Sequence, residues 1–150
     1  MNLSDFSLNT KVALVTGGSS GIGKMMALSL ARAGAYVWIA SSRDNADETI
    51  KELKAEGSEG AFFQVDVTSA DALEKMLSHI YSVSGKIDIL VNGAGINLRT
   101  SADELTLEQW QKTIDINLTA PYQLSQLAVK KMKESGWGRI INIASLQSLR

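Results

Sequence analysis

Short apolar runs alternate along the chain with stretches whose apolar residues recur three and four apart. Residues 11–16 (KVALVT), 36–40 (YVWIA), 61–65 (AFFQV), 87–91 (IDILV) and 138–143 (GRIINI) are rich in β-branched and aromatic side chains. Continuous apolar runs of this kind suit strands covered on both faces. Residues 21–33 read as a helix that offers Ile22, Met25, Met26, Leu28, Leu30 and Ala31 for packing, with Gly34 as its C-terminal stop. Residues 45–56 form an amphipathic helix closed by Gly57, and residues 69–83 a third helix with Ser69 and Asp71 as capping candidates. Residues 106–133 are helical but interrupted by Pro121, which lacks a backbone donor, so the helix bends or restarts there. The order β-α-β-α-β-α-β-α-β predicts an α/β fold: a doubly wound parallel sheet with right-handed crossovers and helices on both faces.

Composition narrows the class. A chain of 150 residues is one domain, residues 1–150. Apolar residues at 45% and charged residues at 21% describe a packed globular domain and exclude a disordered tail. Fifteen basic against sixteen acidic side chains leave a net charge of −1, with no general attraction to nucleic acid or to an anionic membrane. There is no cysteine and only one histidine, His79, so thiol chemistry and a multi-histidine metal site are excluded, and no metal is expected. The first residues carry Asp5 and no basic segment ahead of a long apolar stretch, unlike a signal peptide. The apolar runs fall far short of the ~20 residues that span a bilayer. The expected compartment is the cytoplasm, and no membrane or nucleic-acid partner is expected.

The turn after the first strand carries the first candidate chemistry: Thr16-Gly17-Gly18-Ser19-Ser20-Gly21-Ile22-Gly23. Gly17 permits a tight turn, Gly21 lets backbone approach a pyrophosphate, and Gly23 lets the helix pack closely on the strand. The helix N-terminus behind them offers unpaired N–H groups to phosphates. No Walker lysine follows, which argues against a P-loop NTPase. Taken alone, the loop is also readable as a plain glycine-rich connector; its place at the first βα turn favours dinucleotide binding.

TGGSSGIG resembles the TGxxxGxG cofactor motif of the short-chain dehydrogenase/reductase family. Four more motifs follow in the family's order: Asp66-Val67 after the third strand, Asn92-Gly93-Ala94-Gly95 after the fourth, Asn117 in the long helix, and Ser145 after the fifth strand. The second resembles NNAG, with Gly93 in place of its second Asn. The resemblance implies a Rossmann-like fold and hydride transfer between a nicotinamide cofactor and a carbonyl or alcohol, with the protein positioning and polarising. Thr16, Gly17, Ser19, Ser20, Gly21, Ile22 and Gly23 would line the cofactor's phosphates. Asp66 and Val67 would meet the adenine, although Asp66 also suits a helix-capping role ahead of Ser69. Ala94 and Gly95 would leave room for a ribose, and Asn92 would stabilise the central strands at the cofactor's edge. Ser145 would hydrogen-bond the substrate oxygen, with Ser148 as a weaker alternative, and Asn117 would hold a water for a proton relay. Ser145 is equally readable as a strand-end cap, and Asn117 as a residue bonding helix backbone.

At the end of the second strand, Ser41 falls where NAD-dependent relatives carry an acid, and Ser42 and Arg43 follow. This favours NADP(H), with the Arg43 fork of donors on a 2′-phosphate, while NAD(H) stays possible through Asp44. Arg43 is otherwise a solvated surface charge. The segment AGI-x-x-R ending at Arg99, followed by Trp110, resembles the gluconate 5-dehydrogenase branch, though 3-oxoacyl-carrier-protein reductases share most of the motifs. Arg99 could clamp a substrate carboxylate, as in a sugar acid, or simply pair with Asp103 or Glu104. The family's Tyr-x-x-x-Lys does not occur: Tyr36, Tyr81 and Tyr122 all lack a Lys four residues on. The resemblance therefore implies the N-terminal half of a longer enzyme, its sheet truncated after the fifth strand, a homodimer or homotetramer when complete. The alternative is a non-catalytic dinucleotide-binding fragment. An unrelated Rossmann methyltransferase would not combine Asn92, Asn117 and Ser145.

Overall fold

A computed structural model describes residues 6–145; Asp5 and Ser148 lie outside the described residues. Among these, strands β1 (Val12–Thr16), β2 (Tyr36–Ser41), β3 (Gly60–Gln64), β4 (Ile89–Asn92) and β5 (Arg139–Asn142) pair in the order β3-β2-β1-β4-β5, every pair parallel. Helices α1 (Gly21–Arg32), α2 (Asp47–Ala55), α3 (Ala70–Ser84), α4 (Leu107–Ile114) and α5 (Ala120–Glu134) connect them. The chain order reverses between β1 and β4, which opens a crevice at their carboxyl ends, where sheets of this kind bind ligands.

Strand alternation sorts the core into two layers. Leu14, Trp38 and Leu90 face one side with Leu73, Met76, Ile80, Leu124 and Ala128 from α3 and α5. Ala13, Val15, Val37, Ile39 and Val91 face the other, against Ala27, Leu28 and Ala31 of α1 and Leu53 of α2. A doubly covered sheet is therefore built from runs that are apolar at every position. At the opposite edge of the sheet the buried Asp88 closes the start of β1. Its carboxylate accepts the Val12 N–H at 2.8 Å and sits 3.1 Å from the Lys86 ammonium.

Most element boundaries move by one or two residues from the sequence reading. The third strand takes in Gly60, which pairs with Val37; a Cβ there would lie 2.7 Å from both the Leu53 side chain and the Val37 carbonyl. Ser69 does cap α3, accepting the Ala72 N–H at 3.3 Å. The long stretch 106–133 breaks around Pro121, which becomes the second residue of α5. The break is a wide π turn over Asp115–Thr119, in which the Ala120 N–H reaches back five residues to the Asp115 carbonyl. Such single turns recur at functional sites, and this one carries Asn117. β5 is one edge strand and β3 the other; Ile141 in β5 and Ile143 just after it are each 39% exposed.

Candidate cofactor cleft and adjoining cavity

The turn from β1 into α1 is folded by its glycines. Gly17 adopts φ +70° and donates its N–H to the Ala40 carbonyl at 2.7 Å; a Cβ on it would lie 2.7 Å from the Gly93 carbonyl. A Cβ on Gly23 would strike the Gly17 carbonyl. Gly21, by contrast, has φ +56° and nothing within 4 Å of where a Cβ would stand. Ser20 caps α1 without a side-chain bond, and the first helical bond runs from the Lys24 N–H to the Ser20 carbonyl. The amides of Gly21, Ile22 and Gly23 are thus left without intrahelical partners, at the positive end of the helix, beside open space. No acidic residue occupies the first turn of α1.

Of these residues Ile22 and Gly23 line a cleft of about 370 Å³; Gly21, like Thr16, lies outside its lining. Gly17, Ser19, Ser20, Ile22 and Gly23 form one wall, Ser41, Ser42 and Arg43 the second, Asp66 and Val67 the third, and Ala94 and Gly95 the fourth. The topology therefore brings together residues from four strand ends, Gly17 and Gly95 among them, that are up to 78 positions apart in sequence. Ile96, Ile116 and Ile143 also line the cleft and were not foreseen. Ile96 and Ile143 lie beyond strand ends and Ile116 in the π turn, where a lone Ile gives no periodic signal.

Each wall is held by specific bonds. Thr16 Oγ donates to the Val91 carbonyl at 3.3 Å and accepts the N–H groups of Gly93 and Ala94 at 3.1 and 3.2 Å, joining the first loop to the fourth. At the end of β2 the buried Ser41 Oγ accepts from Ser19 Oγ at 3.0 Å and from the Arg43 N–H at 3.1 Å. The only charged side chain on that wall is the exposed Arg43; Asp44 lies outside it. Asp66 does the work of a turn residue: its carboxylate accepts the Thr68 N–H at 2.9 Å and Oγ–H at 2.8 Å. Those two donors, the backbone one first, hold its pKa below the usual 3.8.

A second cavity of about 860 Å³ adjoins the first across Gly93–Ile96 and contains Asn117, Tyr122, Asn142 and the exposed Ser145. Asn117 Oδ1 accepts the Ile96 N–H at 2.9 Å and Nδ2 donates to the Ile96 carbonyl at 2.8 Å. Asn92 lies beneath this cavity rather than in the cofactor cleft. Its Nδ2 bonds Asn142 Oδ1 at 2.8 Å and Ser125 Oγ at 3.1 Å, linking β4, β5 and α5. These bonds tie together the strands that the sequence reading expects Asn92 to stabilise, while the residue does not line the cofactor cleft. Arg99 is exposed, lines neither cavity, and among the described residues pairs with neither Asp103 nor Glu104. Glu104 takes the Ser101 hydroxyl instead.

The sequence profile of the short chain dehydrogenase family matches residues 11–150. The chain belongs to that family. An NAD-dependent glycerol dehydrogenase of Listeria innocua is 37% identical over 145 residues, 97% of this chain and 56% of that protein. A 3-oxoacyl-[acyl-carrier-protein] reductase of Pseudomonas aeruginosa is 41% identical over 141 residues, 93% of this chain and 57% of that one. A solved structure named for an NAD(P)-dependent gluconate 5-dehydrogenase of Beutenbergia cavernae, with NADP bound at low occupancy, superposes with a TM-score of 0.89 at 34% identity, covering 97% of this chain and 58% of that one. The chain thus spans a little over half the length of the relatives it matches. The parallel five-stranded sheet is the family's Rossmann-like fold. Among its described residues no helix is long and apolar enough to cross a membrane.

Proposed function

We propose that this chain is the dinucleotide-binding portion of an NAD(P)-dependent oxidoreductase acting on a carbonyl or alcohol, with NADP(H) preferred to NAD(H). The observation that carries this reading is the unpartnered N-terminus of α1, whose Ile22 and Gly23 line a cleft whose β2 wall bears Arg43 and no acid. A pyrophosphate would accept from those amides. Ser42 and Arg43 would take a 2′-phosphate, which a carboxylate on that wall would repel. Val67 and Asp66 would edge the adenine, and Ala94 and Gly95 leave space for a ribose. When bound, the nicotinamide supplies or accepts the hydride.

The residues of the second cavity have the remaining tasks. Ser145 would donate to the substrate oxygen and stabilise charge developing there. Asn117, fixed by Ile96, would hold a water for proton transfer. The family's Tyr-x-x-x-Lys has no counterpart in the 150 residues, which therefore hold no complete acid/base apparatus of that kind. Arg99 is our candidate for a substrate carboxylate, which would make a sugar acid the substrate class, in line with the name of the Beutenbergia structure; its side chain is exposed here and lines neither cavity. A homodimeric or homotetrameric assembly follows from the same family reading. The missing Tyr-x-x-x-Lys favours a second reading, a dinucleotide-binding piece without turnover.

Thermal unfolding of the chain with NADPH, NADH or S-adenosylmethionine tests the proposal. We expect stabilisation by both dinucleotides, larger for NADPH, and none by S-adenosylmethionine. An equal or larger effect of NADH would remove the NADP preference; no effect of either would remove the cofactor site.

A further inference from the structure

Asn92 is only 4% exposed, and the two ends of its amide face different neighbours. Nδ2 donates to Asn142 Oδ1 at 2.8 Å, to Ser125 Oγ at 3.1 Å and toward the Pro121 carbonyl at 3.5 Å. A carbonyl can only accept, so the Pro121 contact fixes which end of the amide is the nitrogen. Asn142 lies on β5, one neighbour of β4, so Oδ1 is turned toward the other neighbour, β1. There it is shut off from solvent and has no hydrogen-bond partner.

On that side of Asn92 lies a cavity of about 10 Å³, walled by Thr16, Ala94, Ile116, Ala120 and Pro121 and otherwise by aliphatic side chains. Its polar groups offer Asn92 no donor. The Thr16 hydroxyl proton goes to the Val91 carbonyl, and the Ala94 N–H goes to Thr16 Oγ. The Ala120 N–H goes to Asp115, and Pro121 has none. The same two facts strand a second acceptor. The Ile116 carbonyl could be served only by the N–H of residue 120 or 121, and neither is available.

A buried acceptor without a donor, and a residue whose carbonyl no bond within the helix serves, thus line one cavity of the size one water requires. We propose that a single buried water occupies it, donating one proton to Asn92 Oδ1 and the other to the Ile116 carbonyl. Water is the ligand that fits, because it brings two donors in the volume of one small sphere, whereas a cation would find no charged group in the wall. The bridge ties the end of β4 to the π turn that presents Asn117, so the water is a positioning element for that side chain.

The test is a crystal structure of the protein at a resolution where ordered waters are seen, together with water-to-amide magnetisation transfer in solution. We expect one peak within hydrogen-bond distance of both Asn92 Oδ1 and the Ile116 oxygen, and transfer to the Ala94 amide. Pro121→Ala supplies an N–H that can reach the Ile116 carbonyl, so the same peak should weaken or vanish and the transfer with it. An empty cavity, or Asn92 Oδ1 bonded to a protein donor, would overturn the proposal. A peak unchanged in Pro121→Ala would overturn the assignment of Ile116 as its second partner.

Discussion

Asn117 and Ile96 hold each other at both ends of one amide: the Ile96 N–H enters Asn117 Oδ1 at 2.9 Å, and Asn117 Nδ2 enters the Ile96 carbonyl at 2.8 Å. The π turn before α5 thereby fastens the loop after β4, and that loop is the partition between the cofactor cleft and the cavity that contains Ser145. A Cβ on Gly95 would stand 3.3 Å from Asn117 Oδ1, so the glycine keeps the approach open.

Replacing Asn117 by Ala removes both bonds at once. At about 0.5–1.5 kcal/mol each, the expected loss is about 1–3 kcal/mol, and less at a position open to water. The loss should be local. Amide hydrogen exchange at Ile96 should accelerate, while amides in β1 and β4 keep their protection. Equal exchange at Ile96 in the two proteins would show that the loop is held by something else.

Gly23→Ala puts a methyl group against the Gly17 carbonyl, a backbone atom with no rotamer to yield. Overpacking of this kind costs about 1–3 kcal/mol. Urea unfolding should register that cost, and dinucleotide affinity should fall with it because the phosphate loop must shift. Gly23 does not have a positive φ, so its cost is steric; Gly57→Ala, with φ +76° and nothing within 4 Å, measures positive-φ strain without a clash.

Arg43→Ala separates the two cofactors. Arg43 is the charged side chain on the β2 wall of the cleft. Hydrogen bonds to a charged group contribute about 1.5–3 kcal/mol, so NADPH affinity should drop about tenfold or more. NADH, without the 2′-phosphate, should bind as before. A matching loss for both would place Arg43 elsewhere in the recognition.

Asp66 makes a pH prediction. Its pKa lies below the ordinary 3.8 because the Thr68 N–H and hydroxyl bond its charged form. A depressed folded-state pKa stabilises the fold above the unfolded value, and that contribution is lost as pH falls through the folded one. Thr68→Val deletes the hydroxyl donor. The wild type should therefore be the more stable at neutral pH, and the gap should close in acid, below both pKa values. A gap independent of pH would assign the effect to packing at residue 68.

Much of this was legible in the sequence because the fold repeats one physical signal. Buried parallel strands are apolar at every position, and Leu14, Ile39 and Leu90 announce them without reference to neighbours. The loop 16–23 was legible because its glycines do distinct jobs at fixed spacing. Bonds between distant segments were not. Nothing local to Ser41 shows that it gathers Ser19 and Arg43, and nothing local to Asn92 shows that its amide turns to Asn142, 50 residues on. Pro121 signalled a break in the helix, but the π turn that absorbs it depends on which carbonyl the Ala120 N–H reaches. Arg99 shows the reverse case: a suggestive spacing that the loop after β4 does not bring to either cavity.

The most direct test of the central claim is a residue-resolved titration of the chain's backbone amides with NADP⁺ by heteronuclear NMR. The account predicts saturable shifts concentrated at Ser19–Gly23, at Ser42 and Arg43, and at Val67 and Ala94, with the largest at the unpartnered amides of Gly21–Gly23. Shifts absent from those amides, or centred on another surface while they stay still, would contradict it.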